Sequence, residues 1–235
     1  AFYEQMGTAG MAAYATTVQY AREKGLLVVG DVKRNDISST AAAYAAGHLA
    51  PESGQLASND FAVDAITINP YLGADGVVPF MKAGERAGSG SFALVKTSNS
   101  SSVDIQDVET DDGVLYEVVA RLVDRWGSDY VGQCGYSALG AVVGATYPEE
   151  LTRLRKIMPR TPLLVPGYGA QGGGVQDVVD AFDQDGLGAV VNSSRGIIFA
   201  WTREPYDTEF GAERWQQAIR RAAEDMRKAL WTATH

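Results

Sequence analysis

Cysteine and histidine are scarce in this sequence, and their scarcity excludes several kinds of site. Cys134 is the single cysteine, so neither an intrachain disulfide nor a thiolate zinc cage can form. The two histidines, His48 and His235, give no recognisable Ser-His-Asp arrangement and no metal-ligand spacing. We therefore expect a protein of a reducing, cytoplasmic setting with no zinc site.

Long apolar runs and basic clusters are also missing. No apolar run approaches the roughly 18 residues that a bilayer crossing needs, so we predict no membrane segment. The net charge is -9, and no run of Lys or Arg offers the positive surface that nucleic acid binding requires. The first residues have neither signal-peptide features nor an initiator Met, and we expect the chain as given to begin within something longer.

Short β-branched runs alternate with helical patterns, which predicts βαβ units and a parallel sheet. A single domain over residues 1–235 is expected, because no linker or composition break divides the chain. We predict a (β/α)8 barrel whose first one or two strands lie upstream of Ala1, and an open doubly wound sheet is the alternative. The six strand runs are 26–32, 64–69, 91–96, 141–145, 162–166 and 187–192. Helices are predicted over 8–24, over 113–126, from a Thr146–Glu149 capping box onward, and over a final segment from Trp215 to Met226.

The most informative run is the first strand, which ends in charged residues. Because side chains alternate along a strand, Asp31 and Lys33 share one face and would lie at the carboxyl-terminal mouth of a barrel, where barrel enzymes place their chemistry. The alternative is a buried ion pair that serves only the fold. Asp36 follows the strand and is either a functional carboxylate or the cap of a helix beginning near Ile37.

Two late loops suggest a phosphate site. Glycine-rich residues 166–174 follow one strand and residues 192–196 follow the next, where barrels often hold a phosphate on backbone N–H groups. Gln171 and Arg195 would add side-chain donors, although ordinary tight turns remain the alternative. The polar segment that opens at Lys96 and runs to Gly113 is predicted to have no structure of its own, and it is either a binding lid or a solvated loop.

Several motifs together resemble the orotidine 5'-monophosphate decarboxylase suprafamily, and specifically its bacterial type 2 branch. The first is Asp31-x-Lys33-x-x-Asp36-Ile37 at the end of a strand. The others occur in the family's order along essentially the whole chain: residues 69–73 (NPYLG), 97–99 (TSN), 166–173 (PGYGAQGG) and 194–198 (SRGII).

The resemblance implies a (β/α)8 barrel enzyme, a carboxy-lyase that needs no cofactor. It implies loss of CO2 from orotidine 5'-monophosphate to give uridine 5'-monophosphate, the last step of de novo UMP biosynthesis. Lys33 would donate a proton to C6, and Asp31 would face the departing CO2. Asp36 would reach into the partner's site of a homodimer with shared active sites. The implied substrate-binding residues are Ile37, Thr40, Ser98, Pro166, Gln171, Ser194 and Arg195, with Ser98 at the pyrimidine and Gln171, Arg195 and the Ser194 backbone at the phosphate.

The family pattern also includes a further lysine and a ribose-binding aspartate on strands that would precede Ala1. Neither residue is present in this sequence, so we expect a longer protein or a partner segment to supply them. Three alternatives stay open at this point. They are an Mg²⁺-dependent sugar-phosphate lyase or decarboxylase of the same suprafamily, an inactive module that binds a phosphate ligand, and one domain of a fused synthase.

Overall fold

Six strands occur in the order that the sequence predicts, and helices follow them along the chain. The computed structural model describes residues 1–49, 60–169 and 174–235. The six strands are β1 (Val29–Arg34), β2 (Ala65–Ile68), β3 (Gly90–Lys96), β6 (Leu139–Val143), β7 (Leu163–Pro166) and β8 (Ala189–Asn192). Between β3 and β6, the two-residue strands β4 (Glu109–Thr110) and β5 (Gly113–Val114) form an antiparallel pair.

Helices lie before, between and after these strands along the chain. They are α1 (Phe2–Gln5), α2 (Gly7–Glu23), α3 (Ser38–Leu49), α4 (Ala74–Ala87), α5 (Leu115–Gly127), α6 (Pro148–Ile157), α7 (Ser194–Ile198), α8 (Tyr206–Phe210) and α9 (Trp215–Thr234). Within the described ranges, no helix is both long enough and apolar enough to cross a membrane.

The chain divides into two compact units, of which the first comprises Ala1–Val95, Val118–Ala141 and Arg160–Pro162. Here β1 pairs with β2 and β2 with β3, both in parallel. The strands β2 and β3 are buried along nearly their whole length, as expected for strands of a parallel sheet whose two faces are both covered. The Ser91 N–H donates to the Ala138 carbonyl at 3.0 Å, next to the start of β6.

The second unit comprises Lys96–Glu117, Val142–Pro159 and Leu163–His235. In it β7 and β8 pair in parallel, from Leu163 opposite Ala189 to Pro166 opposite Asn192. The Ala145 N–H, just after β6, donates to the Pro166 carbonyl at 2.9 Å. A small core is formed on α9 by Ala218 and Ala222, which pack with Ala200, Trp201, Tyr206 and Phe210.

Two local predictions are wrong. The capping box at Thr146 does not form, because Tyr147 is the N-cap of α6 and makes no side-chain capping bond. Pro148 occupies the first helical turn and keeps its predecessor out of the helical conformation, with φ -130° and ψ 85° at Tyr147. The segment after Lys96 is not devoid of structure either, since it contains a 3₁₀ turn at Ser100–Asp104 and the β4–β5 pair.

Candidate active site

The two faces of β1 have different neighbours. Gly30 faces α2, and a Cβ at this position would lie 2.9 Å from the hydroxyl oxygen of Tyr14, so glycine permits the close approach of the helix. Arg34, on the same face, binds Glu4 of α1 and His48 of α3. Asp31 and Lys33 are exposed and contact each other, so they lie on the other face, as the sequence predicts.

Asp31, Lys33 and Thr67 form one hydrogen-bonded group. The Lys33 ammonium lies 2.5 Å from Oδ1 of Asp31, and the Thr67 hydroxyl donates to the same oxygen at 2.8 Å. The backbone N–H of Lys33 donates to Thr67 Oγ1 at 3.0 Å. The Lys33 and Asp31 side chains are 51% and 64% exposed, so no other described residue of this chain buries the pair.

The backbone of β1 is irregular at this group. Gly30 lies opposite Ile66 and Arg34 opposite Ile68, so four steps along β1 span only two along β2. Lys33 has φ +44°, a left-handed conformation that residues other than glycine seldom adopt. Bulges of this kind re-aim side chains and are frequent beside active sites. Thr67 gives the displaced Lys33 N–H a hydrogen-bond partner that the regular ladder does not supply.

The electrostatics of the group keep Asp31 ionised. Partial burial acts to raise the pKa of the Asp31 carboxyl, but hydrogen bonds from Lys33 and Thr67 and the charge of Lys33 outweigh it, and the net pKa is lowered. At neutral pH the site therefore presents a carboxylate and an ammonium side by side. A carboxylate repels an anionic group brought near it, and an ammonium can give up a proton.

The residues just after β1 form a second group. Asp36 accepts the backbone N–H of Ile37 through Oδ1 at 2.8 Å, and the Thr40 N–H donates to the Ile37 carbonyl at 3.1 Å. The helix α3 begins at Ser38, so the contact of Asp36 is with a neighbouring residue rather than with the helix's free N–H groups. Ile37 is 48% exposed, and Thr40 is also exposed.

A polar cluster lies behind β1. The Arg34 guanidinium hydrogen-bonds the carboxylate of Glu4 and donates through Nε to His48 Nε2 at 3.3 Å. His48 is only 7% exposed, and its Nδ1 has no partner in the described part of the chain. Burial and the positive charge of Arg34 lower the pKa of His48 to about 4. The negative charge of Glu4 acts in the opposite direction, but its effect is smaller. The imidazole is therefore neutral at pH 7.

In the second unit, Ser98 sits in the 97–99 turn, which directly follows β3. Ser98 is half-buried, and a Cβ on Gly144 would lie 3.0 Å from its Cβ and its backbone nitrogen. The Gln106 side chain hydrogen-bonds both the backbone N–H and the hydroxyl of Thr97. The structure thus fixes the backbone on which Ser98 is carried.

Three other predicted residues lie at the ends of β7 and β8. Pro166 is the half-buried last residue of β7, and Ser194 and Arg195 are exposed in the first turn of α7. The Arg203 guanidinium donates through Nη2 to the Arg195 carbonyl at 3.0 Å. Gln171 falls outside the described residues, so its predicted contact with phosphate stays a prediction.

Metal ligands are not clustered in residues 1–49, 60–169 or 174–235, where no group of three or more His, Cys, Asp or Glu side chains is placed to hold an ion.

Sequence reasoning missed Thr67 and Gln106, which hold the site groups in place. The one available signal for Thr67 was its hydroxyl within the otherwise apolar strand β2. Gln106 gave no signal, because its partner lies across a loop.

The strands, each followed by helical structure, and the open ammonium–carboxylate pair at the end of β1 define an enzyme of the α/β barrel class. Comparison with known proteins gives the family. Residues 1–204 match the Orotidine 5'-phosphate decarboxylase / HUMPS family. The chain is 46% identical over 230 residues to an orotidine 5'-phosphate decarboxylase of Rhodopirellula baltica, with 98% of this chain and 76% of that relative covered. It is 49% identical over 203 residues to one of Caldicellulosiruptor saccharolyticus, with 86% and 66% covered.

A solved structure agrees with these relatives. The OMP decarboxylase of Leishmania donovani has a TM-score of 0.74 and 32% identity, and the match covers 98% of this chain and 78% of that one. The chain belongs to the orotidine 5'-phosphate decarboxylase / HUMPS family, and the predicted fold class and carboxy-lyase class are confirmed. It spans about two thirds to three quarters of the length of these curated relatives.

Proposed function

We propose that the whole protein decarboxylates orotidine 5'-monophosphate to uridine 5'-monophosphate and CO2. The observation that carries the proposal is the exposed Lys33 ammonium on Oδ1 of Asp31, at the end of a barrel strand. Relatives in which two thirds or more of the length is matched bear the name of this enzyme, which favours decarboxylation over the Mg²⁺-dependent lyase and the inactive binding module.

In the proposed reaction, the C6–carboxylate bond breaks, CO2 leaves, and the electron pair remains at C6. Asp31 faces the substrate carboxylate, and two carboxylates about 4 Å apart repel by roughly 4 kcal/mol at an effective dielectric near 20. This repulsion disappears as CO2 departs. Lys33 attracts the negative charge that grows at C6 and then transfers its proton there. The lowered pKa of Asp31 supports its role, because the carboxyl stays charged.

The remaining residues bind and orient the nucleotide. Ser98 contacts the pyrimidine, while Gln171, Arg195 and the Ser194 backbone hold the phosphate, and Pro166 lines the same end of β7. Phosphate contacts remote from the reacting carbon supply binding energy that positions the base. We propose a homodimer in which Asp36, with Ile37 and Thr40 beside it, reaches into the partner's site. The exposed position of Ile37 and Thr40 supports this arrangement. The single domain over residues 1–235, the cytoplasmic setting and the absence of a cofactor stay predictions.

The test is the ultraviolet absorbance change of orotidine 5'-monophosphate with the full-length protein, run with and without EDTA. Turnover that is indifferent to the chelator supports the proposal. Loss of turnover in EDTA would instead favour the metal-dependent lyase, and no turnover in either condition would contradict the assignment.

A further inference from the structure

Gln106 holds the 97–99 turn at two points. Its Oε1 accepts the backbone N–H of Thr97 at 2.9 Å, and its Nε2 donates to Thr97 Oγ1 at 2.7 Å. The Thr97 hydroxyl in turn donates a hydrogen bond to Oδ1 of Asn99 at 2.7 Å. Because a glutamine amide has one acceptor end and one donor end, this pair of bonds fixes both the position and the orientation of the turn.

Gln106 is itself held by its neighbour in the chain. Asp107 accepts a short hydrogen bond from the ammonium of Lys96, the last residue of β3 and only 1% exposed. The same ammonium lies 3.6 Å from Oε2 of Glu150, an ion pair without a hydrogen bond. It also lies 4.9 Å from the ring centroid of Tyr116. A buried charge that loses its partner is strongly destabilising, so the Lys96 ammonium keeps Asp107 in place.

The turn is confined from a third side. The Gly144 N–H donates to the Lys96 carbonyl at 2.9 Å, and the missing side chain of Gly144 leaves just enough room for Ser98. A Cβ there would crowd the Ser98 backbone at 3.0 Å, so glycine lets β6 approach the turn closely. Ser98 is therefore carried on a backbone clamped by Gln106 and by the end of β6.

We infer that Gln106 is a positioning residue that determines how tightly the site binds the base of its nucleotide. It holds the 97–99 turn so that the Ser98 hydroxyl meets the pyrimidine. This inference rests on the proposed function, which gives Ser98 a base to bind. Gln106 acts through Ser98 and touches neither the phosphate nor the ribose in this scheme. Its loss must therefore weaken recognition of the base selectively.

The experiment compares two ligands that share ribose and phosphate and differ in the base. Full-length wild type, Gln106→Ala and the control Gln217→Ala, an exposed glutamine on α9, are titrated calorimetrically with uridine 5'-monophosphate and with ribose 5-phosphate. In Gln106→Ala the affinity for the nucleotide is expected to fall about tenfold, a typical effect of losing such hydrogen bonds, and that for the sugar phosphate to stay unchanged. Equal loss of both affinities, or loss of neither, would overturn the inference.

Two further variants separate positioning from a general loss of structure. Gln106→Glu keeps an acceptor for the Thr97 N–H but loses the donor to its hydroxyl, so a smaller selective loss is expected. In a double-mutant cycle, Gln106→Ala is expected to add less than about twofold to the loss caused by Ser98→Ala, because both act through one contact. Fully additive losses would show that Gln106 does not act through Ser98. Wild-type turnover of orotidine 5'-monophosphate is scored separately, so a failure of the proposed function is distinguished from a failure of this inference.

Discussion

Lys33 is bound to Asp31, two residues before it on the same face of β1, through an ammonium–carboxylate contact of 2.5 Å. The Thr67 hydroxyl donates to the same Asp31 oxygen. One carboxylate oxygen thus receives two donors, one of which carries a transferable proton.

Lys33→Ala is expected to lower kcat by at least about 10²-fold, because it removes the proposed general acid. Binding of uridine 5'-monophosphate is expected to survive, since the phosphate contacts are on other residues. Steady-state kinetics and calorimetry measure the two effects, and Lys228→Ala on the exposed side of α9 is the control. A Lys33→Ala enzyme with near-normal kcat would refute the assigned role.

Arg195→Ala is expected to raise the KM for orotidine 5'-monophosphate by roughly 10- to 100-fold, the usual effect of losing hydrogen bonds to a charged group. Arg195→Lys keeps the charge but not the paired donors, so a smaller rise is expected. The matched control is Arg227→Ala, which removes an exposed arginine of α9. An unchanged KM in Arg195→Ala would remove this residue from the phosphate site.

Asp36 gives a test of the shared active site. Asp36→Ala and Lys33→Ala are each expected to be nearly inactive as homodimers. In a mixed dimer, one site receives Lys33 from one subunit and Asp36 from the other. Random reassociation of a symmetric dimer would then restore about a quarter of wild-type activity. If the mixture is no more active than its parts, Asp36 does not act across an interface.

His48 predicts a pH dependence of stability. Its pKa is about 4 in the folded protein against 6.5 in an unfolded chain, so protons bind preferentially to the unfolded state. The free energy of unfolding should therefore fall as the pH drops from about 6.5 towards 4, by up to about 3 kcal/mol from this group. His48→Gln should reduce that fall, as measured by urea unfolding at several pH values. His235→Gln, at the exposed terminus, controls for loss of an imidazole, and an equal acid sensitivity in both variants would contradict the prediction.

The strands β2, β3, β6 and β7 were predictable because buried parallel strands are continuous apolar runs. Even so, β1 extends to Arg34 rather than ending at residue 32, since the irregularity near Lys33 keeps charged residues within the strand. Thr146 shows a second limit. A capping box is a pattern of side chains, and it was overridden by the backbone restriction that Pro148 places on Tyr147.

Of the candidate site, the Asp31–Lys33 pair followed from alternation along one strand. The side chains that hold the site groups did not, because each finds its partner through the tertiary fold. Thr67 reaches β1 from the neighbouring strand, and Gln106 reaches back to Thr97 across a turn. Lys96 opens a polar segment that the sequence assigned to either a lid or a solvated loop, yet it is among the most buried side chains described. A single sequence carries no direct record of such pairings.

The left-handed backbone at Lys33 lowers the stability of the fold, while the side chain at the same position carries the ammonium that the proposed activity needs. Glycine adopts φ +44° without steric cost, whereas any side chain there carries strain that the surrounding contacts must offset. A campaign to raise thermal tolerance by relieving backbone strain would therefore select glycine at position 33. The same substitution would delete the ammonium, so the most stable version of this strand would be one without its proposed proton donor.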